Sequence, residues 1–213
     1  MLARRTDAPP LAGRELADAW EATLEASGLP VHRPAGRARG RVAFAAPLPL
    51  GVAAERELAD IALSQRVPIW QVREGLGAHL PTGWTLVDLF DVWPGAPALA
   101  GRVVAADYRV GLRSVPDPRQ LDAAVRSMLE AKELPRTRQK GEGVVAYDLR
   151  ALLVDIVLAG EPDPTIRMRT RIHPELGTGR PEEVMAQIGE RIGAPLEVQS
   201  VVRERLVLSD DAG

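Results

Sequence analysis

At 213 residues, with 46% hydrophobic and 26% charged residues, the chain has an ordinary globular balance and enough length for one large core or two small ones. A formal net charge of -2 gives no bulk attraction to nucleic acid, and the absence of cysteine excludes disulfides, thiolate nucleophiles, cysteine zinc sites and cysteine-held iron–sulfur clusters within the chain. No apolar run approaches the roughly 20 residues that cross a bilayer, and the start lacks the apolar centre of an export signal, so a cytoplasmic protein is expected.

Residues 13–27 set Leu16, Ala19, Trp20 and Leu24 on one helical face, and strand-like runs follow at 41–45 and 56–63. A second helix is predicted over 67–80 on Ile69, Val72, Leu76 and Leu80, then a strand over 84–93. Pro94-Gly-Ala-Pro97 is the strongest break and divides the chain into 1–94 and 95–213. Beyond it come a strand over 105–113, a helix over 118–132 on Leu121, Val125, Met128 and Leu129, and strands over 144–149, 153–158 and 165–173. A helix over 180–192 uses Val184, Ile188 and Ile192; it starts on Pro181, with Glu182 and Glu183 matching the dipole of its first turn, and 196–208 closes the chain as a strand. The clearest alternations are Ala106/Tyr108/Val110/Leu112 and Ile166/Met168/Thr170/Ile172, apolar on one face only, as in an antiparallel sheet with one covered face.

The two halves share an order of elements. A helix, then Ser27-Gly-Leu-Pro30, an arginine-bearing stretch and a strand in the first are matched by a helix, Lys132-Glu-Leu-Pro135, the stretch 136–140 and a strand in the second. Ala59-Asp-Ile-Ala-Leu63 likewise matches Val154-Asp-Ile-Val-Leu158, and each half goes on to another helix and a closing strand. This order predicts an α+β protein of two ferredoxin-like, split βαβ halves with antiparallel sheets. The strand 105–113 opens the second half. Its counterpart, 1–5, is short and poorly patterned, so the presence of that opening strand is left open.

Ser27-Gly-Leu-Pro-Val31, Arg41-Val-Ala-Phe-Ala-Ala-Pro-Leu-Pro-Leu-Gly-Val52, Leu58-Ala-Asp-Ile-Ala-Leu63, Ala105-Ala-Asp-Tyr-Arg-Val110, Tyr147-Asp-Leu-Arg150 and Gly179-Arg-Pro-Glu-Glu-Val184 run in order along nearly the whole chain. Together they resemble the radical SAM-linked family, a domain of unknown function. That resemblance implies a domain fused to or encoded beside radical SAM proteins, often near a ribonuclease of the E/G type, with a radical SAM protein as partner. It implies no catalytic residue. The chain departs from the family pattern at 9–16, where a His-Leu-Asp string is usual, and across Arg33–Arg41.

Arginine dominates the candidate sites: Lys132 and Lys140 are the only lysines among 27 basic residues, which suits either a GC-rich genome or recognition of planar anions and phosphates. Arg33, Arg37, Arg39 and Arg41 lie in a segment without apolar period, an arm that could grip the RNA backbone or a solvated loop. Arg167, Arg169 and Arg171 share one face of their strand, and Arg109 and Arg113 have the same phase on theirs. If the two strands share a sheet, five arginines face one way, either toward RNA or toward acidic neighbours such as Asp107 and Glu204. Gly177-Thr-Gly-Arg180 reads as a turn and helix cap, because Glu182 and Glu183 would repel a phosphate there and no P-loop Lys-Ser/Thr follows. Arg5-Thr-Asp7-Ala resembles the string around the catalytic aspartate of pseudouridine synthases, but it precedes the first helix rather than following a strand and helix. His32, His79 and His173 are not at ligand spacing, and no metal or cofactor is expected. Trp20 belongs to a core face, whereas Trp70 lies off the apolar stripe of its helix and suits an exposed partner contact. The functional expectation is an accessory protein beside a radical SAM enzyme, binding RNA in modification or processing. The alternatives are a protein–protein interaction module and an RNA-modifying enzyme of pseudouridine synthase-like fold.

Overall fold

The computed structural model describes the chain other than residues 12, 34, 37, 38, 94, 115, 116, 142, 160–164, 212 and 213, and the side chains of Lys140 and Asp211. It is a mixed α+β structure with mostly antiparallel strand pairing, and it divides into two units, Met1–Val103 and Val104–Gly213.

The first unit runs β1 (Leu2–Arg4), α1 (Gly13–Ala26), β2 (Val42–Phe44), β3 (Ala53–Glu57), β4 (Ala59–Ile61), α2 (Ile69–Gly77) and β5 (Trp84–Leu86). The opening strand is present. Short as it is, β1 pairs antiparallel on both sides, with β3 at Leu2↔Glu57 and with β5 at Ala3↔Thr85. Its Arg4 is buried, donating to the Pro9 carbonyl at 2.9 Å, so a charged residue sits where the sequence pattern looked poor. The predicted strand 56–63 breaks at Leu58 because the chain changes partner: β3 stays on β1, while β4 pairs with β2 at Ala43↔Asp60. The predicted strand 84–93 holds only to Leu86. Beyond it Asp88 turns its carboxylate onto the Leu89 N–H and toward Arg73, which ends the ladder.

Helix α1 carries the stripe Leu16, Trp20 and Leu24 into two small cores. Trp20, Leu2 and Trp84 form one with Phe44 beside them, and Leu24, Val72 and Leu76 form the other. The hydroxyl of buried Thr23 donates to the His79 carbonyl at 2.8 Å and ties α1 to the end of α2. Ile69, expected on the apolar stripe of α2, is instead 44% exposed at its first turn.

The second unit runs β6 (Val103–Leu112), α3 (Pro118–Glu130), β7 (Pro135–Lys140), β8 (Gly143–Asp148), α4 (Leu149–Leu152), β9 (Leu153–Ala159), β10 (Thr165–His173), β11 (Gly177–Thr178), α5 (Pro181–Ile192) and β12 (Val198–Leu208). Strand β10 pairs antiparallel with β6 on one side and with β9 on the other, and β12 lies beside β6. Tyr108, Val110, Ile166 and Met168 are buried on one face, as are Val125, Met128, Val184 and Ile188 of the mutually packed α3 and α5. The segment 136–140 is strand β7, paired with β8 from Pro135↔Asp148 to Lys140↔Gly143. Its inward side chains are Arg136, bonded to Glu190, and Arg138, 5.0 Å above the Tyr147 ring, so no apolar alternation marks it.

Helix α3 starts on Asp117, whose carboxylate accepts from the Arg119 N–H at 2.9 Å, with Pro118 in its first turn. Asp117→Ala is expected to lower stability by about 1 kcal/mol, read by chemical denaturation. Among the described residues no helix is long and apolar enough to cross a membrane.

Candidate nucleic-acid interface

The outward face of the second unit's sheet gathers its charge through strand register. Arg167 stands opposite Arg109, and Arg169 opposite both Asp107 and Asp155. Because Ile166, Met168 and Thr170 are buried, Arg167, Arg169 and Arg171 project to the other side. The predicted sharing of one sheet by these two strands holds.

The arginines do not stand alone. Arg169 grips Asp107 with two bonds of 2.6 and 2.9 Å, and Arg205 of β12 reaches the same carboxylate at 2.8 Å. Arg109 bonds Glu204 at 2.9 Å, with Arg167 3.5 Å from the same oxygen. The acidic neighbours foreseen from the sequence are therefore the partners. Arg205 was missed, because apolar residues on both faces of β12 obscure its phase.

Among the described residues, five arginines (Arg109, Arg167, Arg169, Arg171 and Arg205) share the face with three carboxylates, Asp107, Asp155 and Glu204. Arg167 retains 57% side-chain exposure, and Arg171 and Arg113 are exposed. A surplus of positive charge among these residues is thus held on the sheet, with the Arg169 guanidinium plane fixed by its two bonds to Asp107. Burial pushes the Asp107 carboxyl up, but hydrogen bonds and charge from Arg169 and Arg205 outweigh it and hold it below the ordinary carboxylate range. The network's stabilisation is therefore present above the unfolded carboxylate pKa of about 4 and is lost as pH falls through the lower folded value.

The loop arginines are dispersed. Arg33 and Arg41 are exposed, Arg37 lies outside the described residues, and Arg39 is drawn onto α1, 3.1 Å from Glu25 and 3.7 Å from Glu21. Gly177 and Thr178 form a short pair with β10 and Arg180 caps α5 without a side-chain bond, in keeping with a turn and cap. Arg5 and Asp7 pair at 2.9 Å directly after β1, in the open, with side chains 61% and 73% exposed.

An open cavity of about 710 Å³ lies along the β7–β8 hairpin. Of its lining polar groups, Arg136 is engaged by Glu190, and Asp148 by the N–H groups of Leu134 and Arg150, whereas the Tyr147 hydroxyl is buried without a hydrogen-bond partner. Within this lining, burial and then the facing Glu183 carboxylate push the Tyr147 phenol well above its ordinary range. No group of three or more potential metal ligands occurs among the described residues.

Residues 3–184 match the model of a family described as an uncharacterized protein conserved in bacteria, DUF2344. The chain belongs to this family. No curated protein matches it. Among solved structures the fold of this DUF2344 member resembles that of a chain in the crystal structure of a Cbf5-Nop10-Gar1 complex, with a TM-score of 0.50 and 12% identity. The likeness covers 96% of this chain and 48% of the other, so the chain spans about half the length of the structure it matches.

Proposed function

We propose that this DUF2344 protein is an RNA-binding accessory of a radical SAM enzyme, acting through the arginine face of its second unit. The observation that carries the RNA reading is the excess of arginine over carboxylate on one outward sheet face, with Arg167 and Arg171 exposed. The radical SAM link rests on the sequence resemblance; with no cysteine in this chain, a cysteine-held cluster belongs to the partner.

The same reading takes both units as ferredoxin-like. In the second, the order β9-β10-β6-β12 matches a split βαβ sheet. In the first, β3-β1-β5 repeats three of those places, while β2 pairs with β4 instead of joining β3.

Asp107 provides a test of sign. Asp107→Asn removes one negative charge from the face and weakens its bonds to Arg169 and Arg205, costing about 1 kcal/mol of stability. In a fluorescence titration with single-stranded RNA at low salt, binding is expected to tighten. Unchanged or weaker binding by the folded variant argues against this face.

The second reading is an RNA-modifying enzyme. It is favoured by the fold likeness to a pseudouridine synthase complex and by the Arg5–Asp7 pair at the end of β1. Uridine isomerisation by the wild type, abolished by Asp7→Ala, would establish it; no conversion by the wild type on tRNA and rRNA transcripts would remove it.

A further inference from the structure

Five of the chain's eight aromatic residues are buried or half-buried, but Trp70, Phe90 and Trp93 of the first unit are 62, 60 and 80% exposed. Two ion pairs show how they come together. Arg73 of α2 reaches Asp88 at 3.5 Å, and Arg66, just before α2, reaches Asp91 at 3.4 Å. The segment 88–91 therefore runs antiparallel to α2. Ile69 and Trp70 lie between the two arginines, and Phe90 between the two aspartates. Leu89 packs inward against the Leu24, Val72 and Leu76 cluster, so Phe90 next to it faces out. Val87, Val92 and Trp93, all exposed, extend the same strip along the chain.

The three rings present about 400 Å² of apolar surface, taking about 200 Å² for a whole aromatic side chain. With Ile69, Val87 and Val92 the strip reaches roughly 600 Å², the upper end for the largest apolar patch of a monomer and about three quarters of the ~800 Å² per partner of a stable interface. Its charges choose among occupants. Two arginines and the Met1 ammonium, which lies against Asp88, balance two aspartates and Glu74, so among the described residues no positive groove draws an RNA strand onto the rings. A patch that holds both signs in balance is complementary to its own two-fold copy, in which Arg73 of one chain can meet Asp88 of the other.

We infer that this strip is a self-association surface, joining two copies of the chain through Trp70, Phe90 and Trp93. Sedimentation velocity of the full chain, up to about 100 μM, is expected to show a concentration-dependent dimer. Phe90→Ser with Trp93→Ser should leave a monomer with unchanged circular dichroism, because neither side chain is buried. Trp70→Ala, an independent change on α2, should weaken the dimer at least tenfold. Arg73→Asp should weaken it too, and adding Asp88→Arg should restore it by re-forming the exchanged pairs. A wild type that stays monomeric, whether or not it captures another protein or RNA there, overturns the inference, and so does a dimer that persists in the Phe90/Trp93 double variant.

Discussion

Trp20→Ala is expected to destabilise the protein by about 3–5 kcal/mol, lowering its melting temperature by roughly 6–20 °C. Trp20 is 2% exposed and meets Phe44 and Trp84 edge-on, with ring centroids 5.6 and 5.3 Å away. Removing it opens a cavity between α1, β2 and β5 that short strands cannot readily close. The loss is a large part of the 5–15 kcal/mol that holds a typical domain together. Trp20→Phe should be far milder, because the indole N–H is buried without a hydrogen-bond partner and its removal leaves no acceptor stranded. Thermal denaturation of the two variants separates ring volume from polarity. Equal losses would show that the indole contributes something other than packing.

Reversing charge on the sheet face has the largest expected effect on binding. Arg167→Glu with Arg171→Glu should weaken RNA binding about tenfold or more at low salt and reduce the salt slope by roughly 1.4, two single-strand phosphate contacts. These two residues are chosen because the fold does not rest on them: Arg171 is exposed, and Arg167 only approaches Glu204, at 3.5 Å. Arg169 is the wrong target, since its two bonds to Asp107 hold neighbouring strands together. A double variant that folds normally and binds RNA as well as wild type would exclude the face.

The parts of the structure legible in the sequence are those whose burial is periodic. Strand β10 falls where Ile166, Met168 and Thr170 alternate with arginines, and α3 and α5 follow their apolar stripes to within a residue or two. Elements held by polar side chains were harder to read. Strand β1 depends on a buried arginine bonded to a backbone carbonyl, and β7 on arginines engaged by Glu190 and Tyr147. The continuous run 56–63 hid a change of partner at Leu58 that leaves both flanking strands extended. At the candidate interface, the phase of Arg109, Arg167, Arg169 and Arg171 was legible from alternation alone. Their capture by Asp107 and Glu204 required the register, and the exposure of Phe90 and Trp93 could not be read from a segment that looked like a strand.

The most direct test of the central claim is the salt dependence of RNA binding by the wild-type chain, measured by fluorescence titration with a single-stranded RNA. Contact with about three phosphates predicts a straight plot of log affinity against log salt with a slope near -2. Absence of binding at low salt, or a slope indistinguishable from zero, contradicts the account.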